Sequence, residues 1–143
     1  MCLYLTNIRK TRIAKEDIIC YKILIKERKR GVFRIFRKST YRAPFNTHYT
    51  YQLNELNDLG RSLTIGINTY PDNLPVVREG YHSFVDVQDA KHMSSELYYI
   101  PGVMKIVQCI IPKGAEYIKG TISQSPTSPA SYVSNKIICV KEV

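Results

Sequence analysis

The first half of the chain carries hydrophobic patterns that are typical of β-strands. Residues 18–25 form an apolar, β-branched run interrupted by one lysine, and the run has the length of a strand. A basic stretch with a glycine follows, so residues 32–36 are predicted to return as a second strand and to form a hairpin with the first. Residues 48–53 and 62–67 alternate between apolar and polar side chains, and the turn-forming residues 54–60 connect them.

The second half adds one helix to further strands. Residues 80–84 are typical of a short strand. Asp86 can cap a helix that runs to about residue 98, because its carboxylate accepts the free N–H groups of the first turn. Residues 103–111 and 135–140 are apolar runs that predict two more strands. At helical spacing, the predicted buried face of the helix comprises Val87, Ala90, Met93 and Leu97.

One helix among seven predicted strands favours the α+β class, in which a mostly antiparallel sheet carries one principal helix. The chain has 143 residues, which is the size of one domain, so residues 1–143 are expected to fold around a single core. No stretch is long enough to span a bilayer, and the N-terminus lacks the charge order of a secretory signal. We therefore expect a cytoplasmic protein without a membrane partner.

The cysteines are consistent with a reducing compartment. They are Cys2, Cys20, Cys109 and Cys139, and no two of them have the C-x-x-C spacing. Three of them lie inside apolar runs, where a free thiol behaves as a small hydrophobic side chain. We predict reduced, buried thiols and neither a disulfide framework nor a zinc site.

The polar residues form no recognisable metal or catalytic motif. The three histidines, His48, His82 and His92, lack the tight spacing of metal ligands. Ser83, His82 and Asp86 could be combined as nucleophile, base and acid, but the strand-turn-helix nucleophile elbow is absent. Neither common glycine-rich phosphate-binding motif is present. We therefore expect a binding protein rather than an enzyme, with no metal and no resident cofactor.

The positive charge is concentrated in one segment. Residues 9–42 contain 13 basic and 3 acidic side chains, whereas the rest of the chain contains 8 basic and 9 acidic side chains. Basic side chains can neutralise phosphates, and interleaved phenylalanines can stack on unpaired bases. In the alternative interpretation, the basic hairpin is solvated, its charge aids solubility, and Phe33 and Ile35 lie in the core. The predicted binding residues of this region are Lys26, Arg28, Lys29, Arg30, Arg34, Arg37 and Lys38.

Five segments make the chain similar to a known group of proteins. These are residues 1–3, 17–22, 80–84, 109–117 and 134–137. Together they resemble small uncharacterised proteins of phages and mobile elements of bacteria, and the resemblance covers most of the chain. It implies a bacterial host cell as the location, and that family has no established activity to transfer.

The order of the segments also resembles the ADP-ribosyltransferase fold. Tyr21-Lys22 stands where that family has an aromatic residue followed by a basic NAD contact, and residues 81–83 stand at its aromatic-serine strand edge. Residues 109–117 resemble its last strand and turn, but Gln108 occupies the position of the catalytic glutamate. An amide stabilises a charged ribosyl centre poorly, and lysine lacks the planar fork of the family's arginine. The resemblance would place five residues around NAD or another nucleotide: Lys22, His82, Ser83, Gln108 and Glu116.

Three hypotheses follow from these patterns. In the first, the chain is a non-enzymatic accessory protein of a phage or mobile element. It would bind nucleic acid, or an acidic or nucleic-acid-handling host protein, and inhibition of a host defence system is one role open to it. In the second, it is an ADP-ribosyltransferase-like protein, active or degenerate, that binds NAD. In the third, the same cleft sequesters a nucleotide without chemistry.

Overall fold

A computed structural model describes residues 3–5, 11–27, 39–44, 49–67, 74–96 and 103–143. Among these residues the strands pair antiparallel in one sheet, and one helix packs against it. The predicted α+β class is therefore confirmed. The strands are β1 (Leu3–Tyr4), β2 (Arg12–Ile13), β3 (Ile18–Lys26), β4 (Thr40–Arg42), β5 (Thr50–Gln52), β6 (Leu56–Asp58), β7 (Gly66–Ile67), β8 (Pro75–Val77), β9 (Tyr81–Phe84), β10 (Met104–Ile111), β11 (Glu116–Thr121), β12 (Ala130–Ser134) and β13 (Lys136–Glu142), and the helix is α1 (Val87–Glu96).

Three long apolar strands form the centre of the sheet. β3 pairs with β10 along eight residue pairs, from Ile18 opposite Ile111 to Ile25 opposite Met104, and β10 pairs with β13 on its other side. These strands were predicted from their continuous apolar runs, which are typical of strands that are covered on both faces. The order of paired strands is β6-β13-β10-β3-β9-β12-β11-β1-β8-β7, with β2 added to β11, β4 to β3, and β5 to β4.

The two faces of the central strands pack against different partners, because successive side chains of a strand point to opposite sides. Leu24 and Val107 lie in the main core. Ile23 and Met104 point the other way and pack against Ala90 of α1. The sheet therefore separates a large core from a smaller helix-covered layer.

The helix begins where the sequence predicts. The backbone N–H of Gln88 donates to Asp86 Oδ1 at 2.7 Å, so Asp86 is the predicted cap. Ala90 is fully buried and Met93 packs beside it, as the helical spacing indicates. Leu97 lies outside the described residues.

Several predictions of local structure were wrong or fall on undescribed parts of the chain. Residues 54–60 were predicted as a turn, yet they contain β6, which pairs with β13 through its backbone. β11 and β12 form where no strand was predicted, and they pair with each other over five residue pairs. The predicted second strand of the basic hairpin, residues 32–36, lies outside the described residues.

The buried thiols form a row across the centre of the sheet. Cys20 lies opposite Cys109, and Cys109 lies opposite Cys139. All three are free and fully buried, and the Sγ atoms of Cys109 and Cys139 are 3.4 Å apart. The prediction of buried free thiols is confirmed for these residues, and Cys2 lies outside the described residues.

Candidate functional site

A gap opens in the sheet between β3 and β9. Within the described residues these strands share a single register pair, Tyr21 opposite Phe84, while β9 pairs along its whole length with β12. Past that pair, Lys22 Nζ donates a hydrogen bond to the backbone carbonyl of His82. A lysine side chain therefore spans the opening in which the backbone ladder is interrupted.

A pocket of about 90 Å³ occupies this opening. We refer to it as the Lys22 pocket. Its walls are mainly apolar and aromatic, with Tyr49, Tyr51 and Phe84 among them. Its polar side chains are Lys22, Arg78, His82, Ser83 and Ser131.

Gly80 allows the wall of the pocket to form. Its φ angle is 129°, which side-chain-bearing residues rarely adopt. A Cβ atom at this position would lie 2.5 Å from Val133 Cγ1 and 2.9 Å from Leu63 Cδ2. The close approach of β9 to its neighbours therefore requires glycine here.

Lys22 is a buried amine without an acidic partner. Its side chain and backbone are only 6% exposed, and Nζ lies 5.2 Å from the centre of the Tyr51 ring. None of the ion pairs among the described residues includes it. Burial lowers the pKa of the Lys22 amine, because desolvation disfavours the charged form, and the surrounding thiols act in the opposite direction.

His82 is neutral at physiological pH, and its Nε2 atom is a buried acceptor without a partner among the described residues. Burial, together with the nearby charge of Lys22, lowers the pKa of His82 to about 3. A hydrogen bond from the ring to the backbone carbonyl of Arg78 acts in the opposite direction. Nε2 is buried and has no hydrogen-bond partner among the described residues, so the donor to Arg78 is Nδ1–H and Nε2 carries a lone pair.

Ser83 contributes a second unpaired polar atom. Its Oγ is buried and makes no hydrogen bond of normal geometry within the described residues. It acts on the Cys20 thiol in the direction that lowers the thiol's pKa, but burial dominates and raises that pKa to about 11. The Lys22 pocket thus holds one amine, one imidazole nitrogen and one hydroxyl with unused hydrogen-bonding capacity.

Arg78 gives the pocket its permanent charge. It is solvent-exposed and forms no ion pair with a described residue, whereas the adjacent Glu79 pairs with Arg61. Among the described residues, no aspartate or glutamate lines the pocket. The pKa values of Lys22 and His82 are both lowered, which favours their neutral forms. The pocket therefore has a positively charged mouth at Arg78 and a floor of buried polar groups.

The structure brings together some of the predicted nucleotide-contacting residues and separates others. Lys22, His82 and Ser83 line one pocket. Gln108 lies opposite Tyr21 in the register and therefore points to the sheet face that Lys22 does not occupy.

Glu116 is used elsewhere in the fold. Its Oε1 accepts from Ser62 Oγ at 3.0 Å, and its Oε2 accepts from the backbone N–H of Leu63 at 2.9 Å. These bonds hold the segment before β7. Glu116 is not among the residues that line the Lys22 pocket.

Tyr49, Tyr51 and Arg78 also line the pocket, although sequence reasoning did not select them. The two tyrosines lie in a segment whose alternation of aromatic and polar residues predicted a strand, and this pattern was their only signal. Nothing in the local sequence distinguishes Arg78 from other surface arginines. Their role depends on which strands become neighbours.

Of the predicted cationic binding residues, Lys26 alone is described. Its Nζ lies 2.6 Å from Glu142 Oε1, and the Tyr41 hydroxyl donates to the same oxygen at 2.6 Å. The pair raises the pKa of Lys26 and lowers the pKa of Glu142. The other six residues of the set, Arg28, Lys29, Arg30, Arg34, Arg37 and Lys38, lie outside the described residues.

Comparison of the chain with protein-family models, curated proteins and solved structures gave no match. Within the described ranges, no helix is long and apolar enough to cross a membrane. The same residues contain no group of three or more His, Cys, Asp or Glu side chains placed to hold a metal ion. Function must therefore be inferred from the Lys22 pocket and from the distribution of charge.

Proposed function

We propose that this protein binds a small anionic metabolite in the Lys22 pocket. The observation that carries the proposal is the group of buried, incompletely bonded polar atoms around the pocket: Lys22 Nζ, His82 Nε2 and Ser83 Oγ. A buried polar group without a partner costs about 1–3 kcal/mol. A ligand that satisfies such groups recovers this free energy, so the pocket floor favours a polar group of the ligand.

The volume of the pocket limits what can enter. Pockets that enclose a drug-sized ligand measure about 300–1,000 Å³, and the Lys22 pocket measures about 90 Å³. It has room for one functional group or one small ring. A larger ligand such as a nucleotide would insert one end and leave its phosphates at the mouth, where Arg78 supplies a cation.

If the anionic ligand is a nucleotide, the proposal becomes that of an ADP-ribosyltransferase-like fold that binds NAD. The adjacency of Lys22, His82 and Ser83 supports it. Gln108 and Glu116 do not line the same pocket, so the described residues supply no carboxylate there to stabilise a ribosyl cation. We accordingly propose binding without transfer.

Thermal unfolding in the presence of phosphate, ribose 5-phosphate, ADP-ribose and NAD tests the proposal. At a concentration 100-fold above its Kd, a bound ligand stabilises the folded state by about 2.7 kcal/mol. Arg78→Gln should weaken the effective ligand about tenfold, because it removes a charge-assisted contact. Arg12→Gln, a change at another exposed arginine, should leave the affinity unchanged. The absence of stabilisation by every anion would contradict the proposal.

A second candidate function rests on the charge distribution. The excess of basic residues between positions 9 and 42 supports binding of nucleic acid, or of a nucleic-acid-handling host protein, by an accessory protein of a phage or mobile element. Lys26 is already paired with Glu142, so this function would depend on the six basic residues between 28 and 38.

Binding measured over a salt titration tests the second candidate. Affinity for an oligonucleotide should fall steeply as the salt concentration rises. Binding releases the counterions that are condensed on the nucleic acid, and added salt opposes this release. Reversing the charge of Arg28, Arg30 and Arg34 together should abolish binding, while Lys26→Gln should change it little. Binding that survives the triple reversal would exclude this role for the basic segment.

A further inference from the structure

The Lys22 amine has the surroundings of a nucleophile rather than of a structural cation. It lies at a pocket, and among the described residues its one hydrogen-bond acceptor is the His82 carbonyl and no carboxylate pairs with it. An amine held by a carboxylate stays protonated, and a protonated amine has no lone pair. Burial has the opposite effect here and lowers the pKa of Lys22, which increases the fraction that can react.

We propose that Lys22 Nζ condenses reversibly with an aldehyde or ketone group of the ligand and holds it as an imine. The proposal rests on the proposed function, since the same pocket must first admit the ligand. It narrows the ligand class to anionic carbonyl compounds. Arg78 at the mouth would bind the anionic group and direct the carbonyl carbon towards the floor.

The reaction needs no partner beyond the carbonyl compound. The Nζ lone pair forms a C–N bond to the carbonyl carbon, and the π electron pair of the C=O bond moves to oxygen. A proton then passes from the nitrogen to that oxygen, which gives a carbinolamine. The C–O bond then breaks, water leaves with both amine protons and the carbonyl oxygen, and C=N forms. No oxidation or reduction occurs.

Lys26 provides an internal reference on the same strand. Its side chain is 36% exposed, so reagents reach it more easily than they reach Lys22. Its pairing with Glu142 raises its pKa, so less of it is neutral at a given pH. Exposure alone predicts faster modification of Lys26, whereas the proposed chemistry predicts faster modification of Lys22.

The experiment incubates the full chain with glyoxylate or succinic semialdehyde and sodium cyanoborohydride, which reduces imines to stable amines. Peptide mass spectrometry then gives the rate of modification at each lysine. We expect Lys22 to react several-fold faster than Lys26 despite its burial, because burial lowers the pKa of Lys22 and pairing with Glu142 raises that of Lys26. If the rates follow exposure, with Lys22 no faster than Lys26 or the exposed Lys91, the proposal is overturned.

Two variants separate the chemistry from folding. Lys22→Arg retains a donor for the His82 carbonyl but cannot form an imine, so modification at this site should disappear while other lysines react as before. Lys26→Gln is the matched control and should leave the rate at Lys22 unchanged.

Glycolate distinguishes failure of this proposal from failure of the proposed function. It carries the carboxylate of glyoxylate without the carbonyl. If glycolate stabilises the protein but no aldehyde modifies Lys22, the pocket binds anions and the imine proposal alone is wrong. If neither glycolate nor either aldehyde binds, both are wrong.

Discussion

Two lysines on the same strand show how little of a residue's behaviour is set by its position in a sheet. Lys22 and Lys26 both lie on β3, four residues apart and on the same face. Each Nζ lies near a tyrosine ring, 5.2 Å from the centre of Tyr51 and 5.8 Å from the centre of Tyr41. Yet the pKa of Lys22 is lowered by burial, and that of Lys26 is raised by Glu142.

The difference comes from the last residues of the described sheet. β13 carries Glu142 to the Lys26 end of β3, where Tyr41 and Lys26 both donate to one carboxylate oxygen. At the Lys22 end the neighbours are thiols and aromatic rings, which cannot hold a proton on the amine as a carboxylate does. A contact with an aromatic ring accompanies both lysines, so burial and the carboxylate, rather than the ring, explain why the pKa is lowered at Lys22 and raised at Lys26.

The largest effect should come from replacing each of the two lysines by glutamate. Lys22→Glu would bury a carboxylate without a cationic partner, and we expect it to lower the free energy of unfolding by about 3–5 kcal/mol. Lys26→Glu places a carboxylate beside Glu142 at a site about one-third exposed, and we expect a loss of about 1 kcal/mol. Urea denaturation measures both values. Equal losses of stability would show that burial does not make position 22 more sensitive than position 26 to a negative charge.

A smaller effect should appear in the pH dependence of stability. The pKa of His82 is lowered from 6.5 to about 3, so between these values the unfolded chain takes up a proton that the folded protein does not. The folded state should therefore lose stability as pH falls from about 6.5 towards 3. His82→Gln should flatten this loss between pH 6.5 and 4. In His92→Gln, the control at an exposed helical histidine, the acid-induced loss should persist in full.

The smallest effect should follow from removing the acidic partner of Lys26. Both side chains of this pair are about one-third exposed, so Glu142→Gln should cost no more than about 1 kcal/mol. The cost should shrink in high salt, because salt screens an exposed pair. Since the folded state lowers the pKa of Glu142, its contribution should also vanish as pH falls below 4.5. Denaturation at low and high salt checks the size, and a salt-independent loss would point to packing around Tyr41 instead.

The parts of the fold that could be predicted are those whose local pattern matches their burial. β3, β10 and β13 are long apolar runs because one of their faces lies in the main core and part of the other face of β3 and β10 packs against α1. β12 was not predicted because Ser131 and Ser134 interrupt its hydrophobic residues, and buried serines give the same sequence pattern as an exposed segment. β6 is held by backbone pairing with β13, and the pattern of apolar and polar side chains does not indicate such pairing.

The candidate site could be predicted only in part for a related reason. Lys22, His82 and Ser83 were selected through short segments that resemble a known fold, and the structure places them around one pocket. Tyr51 joins them through strand pairing with β4. The acidic partner of Lys26 is 116 residues away in sequence, so the neutralisation of this lysine could not be read from the charge pattern of its own segment.

Position 80 has a consequence for any library of variants made from this chain. Replacing its hydrogen by a methyl group would push against Val133 and Leu63, and the φ angle of 129° strains any residue with a side chain, so substitutions there should destabilise the folded protein. A survey of folded variants would then mark position 80 strongly. That signal would report a lack of space between neighbouring chain segments and would not by itself indicate a binding residue.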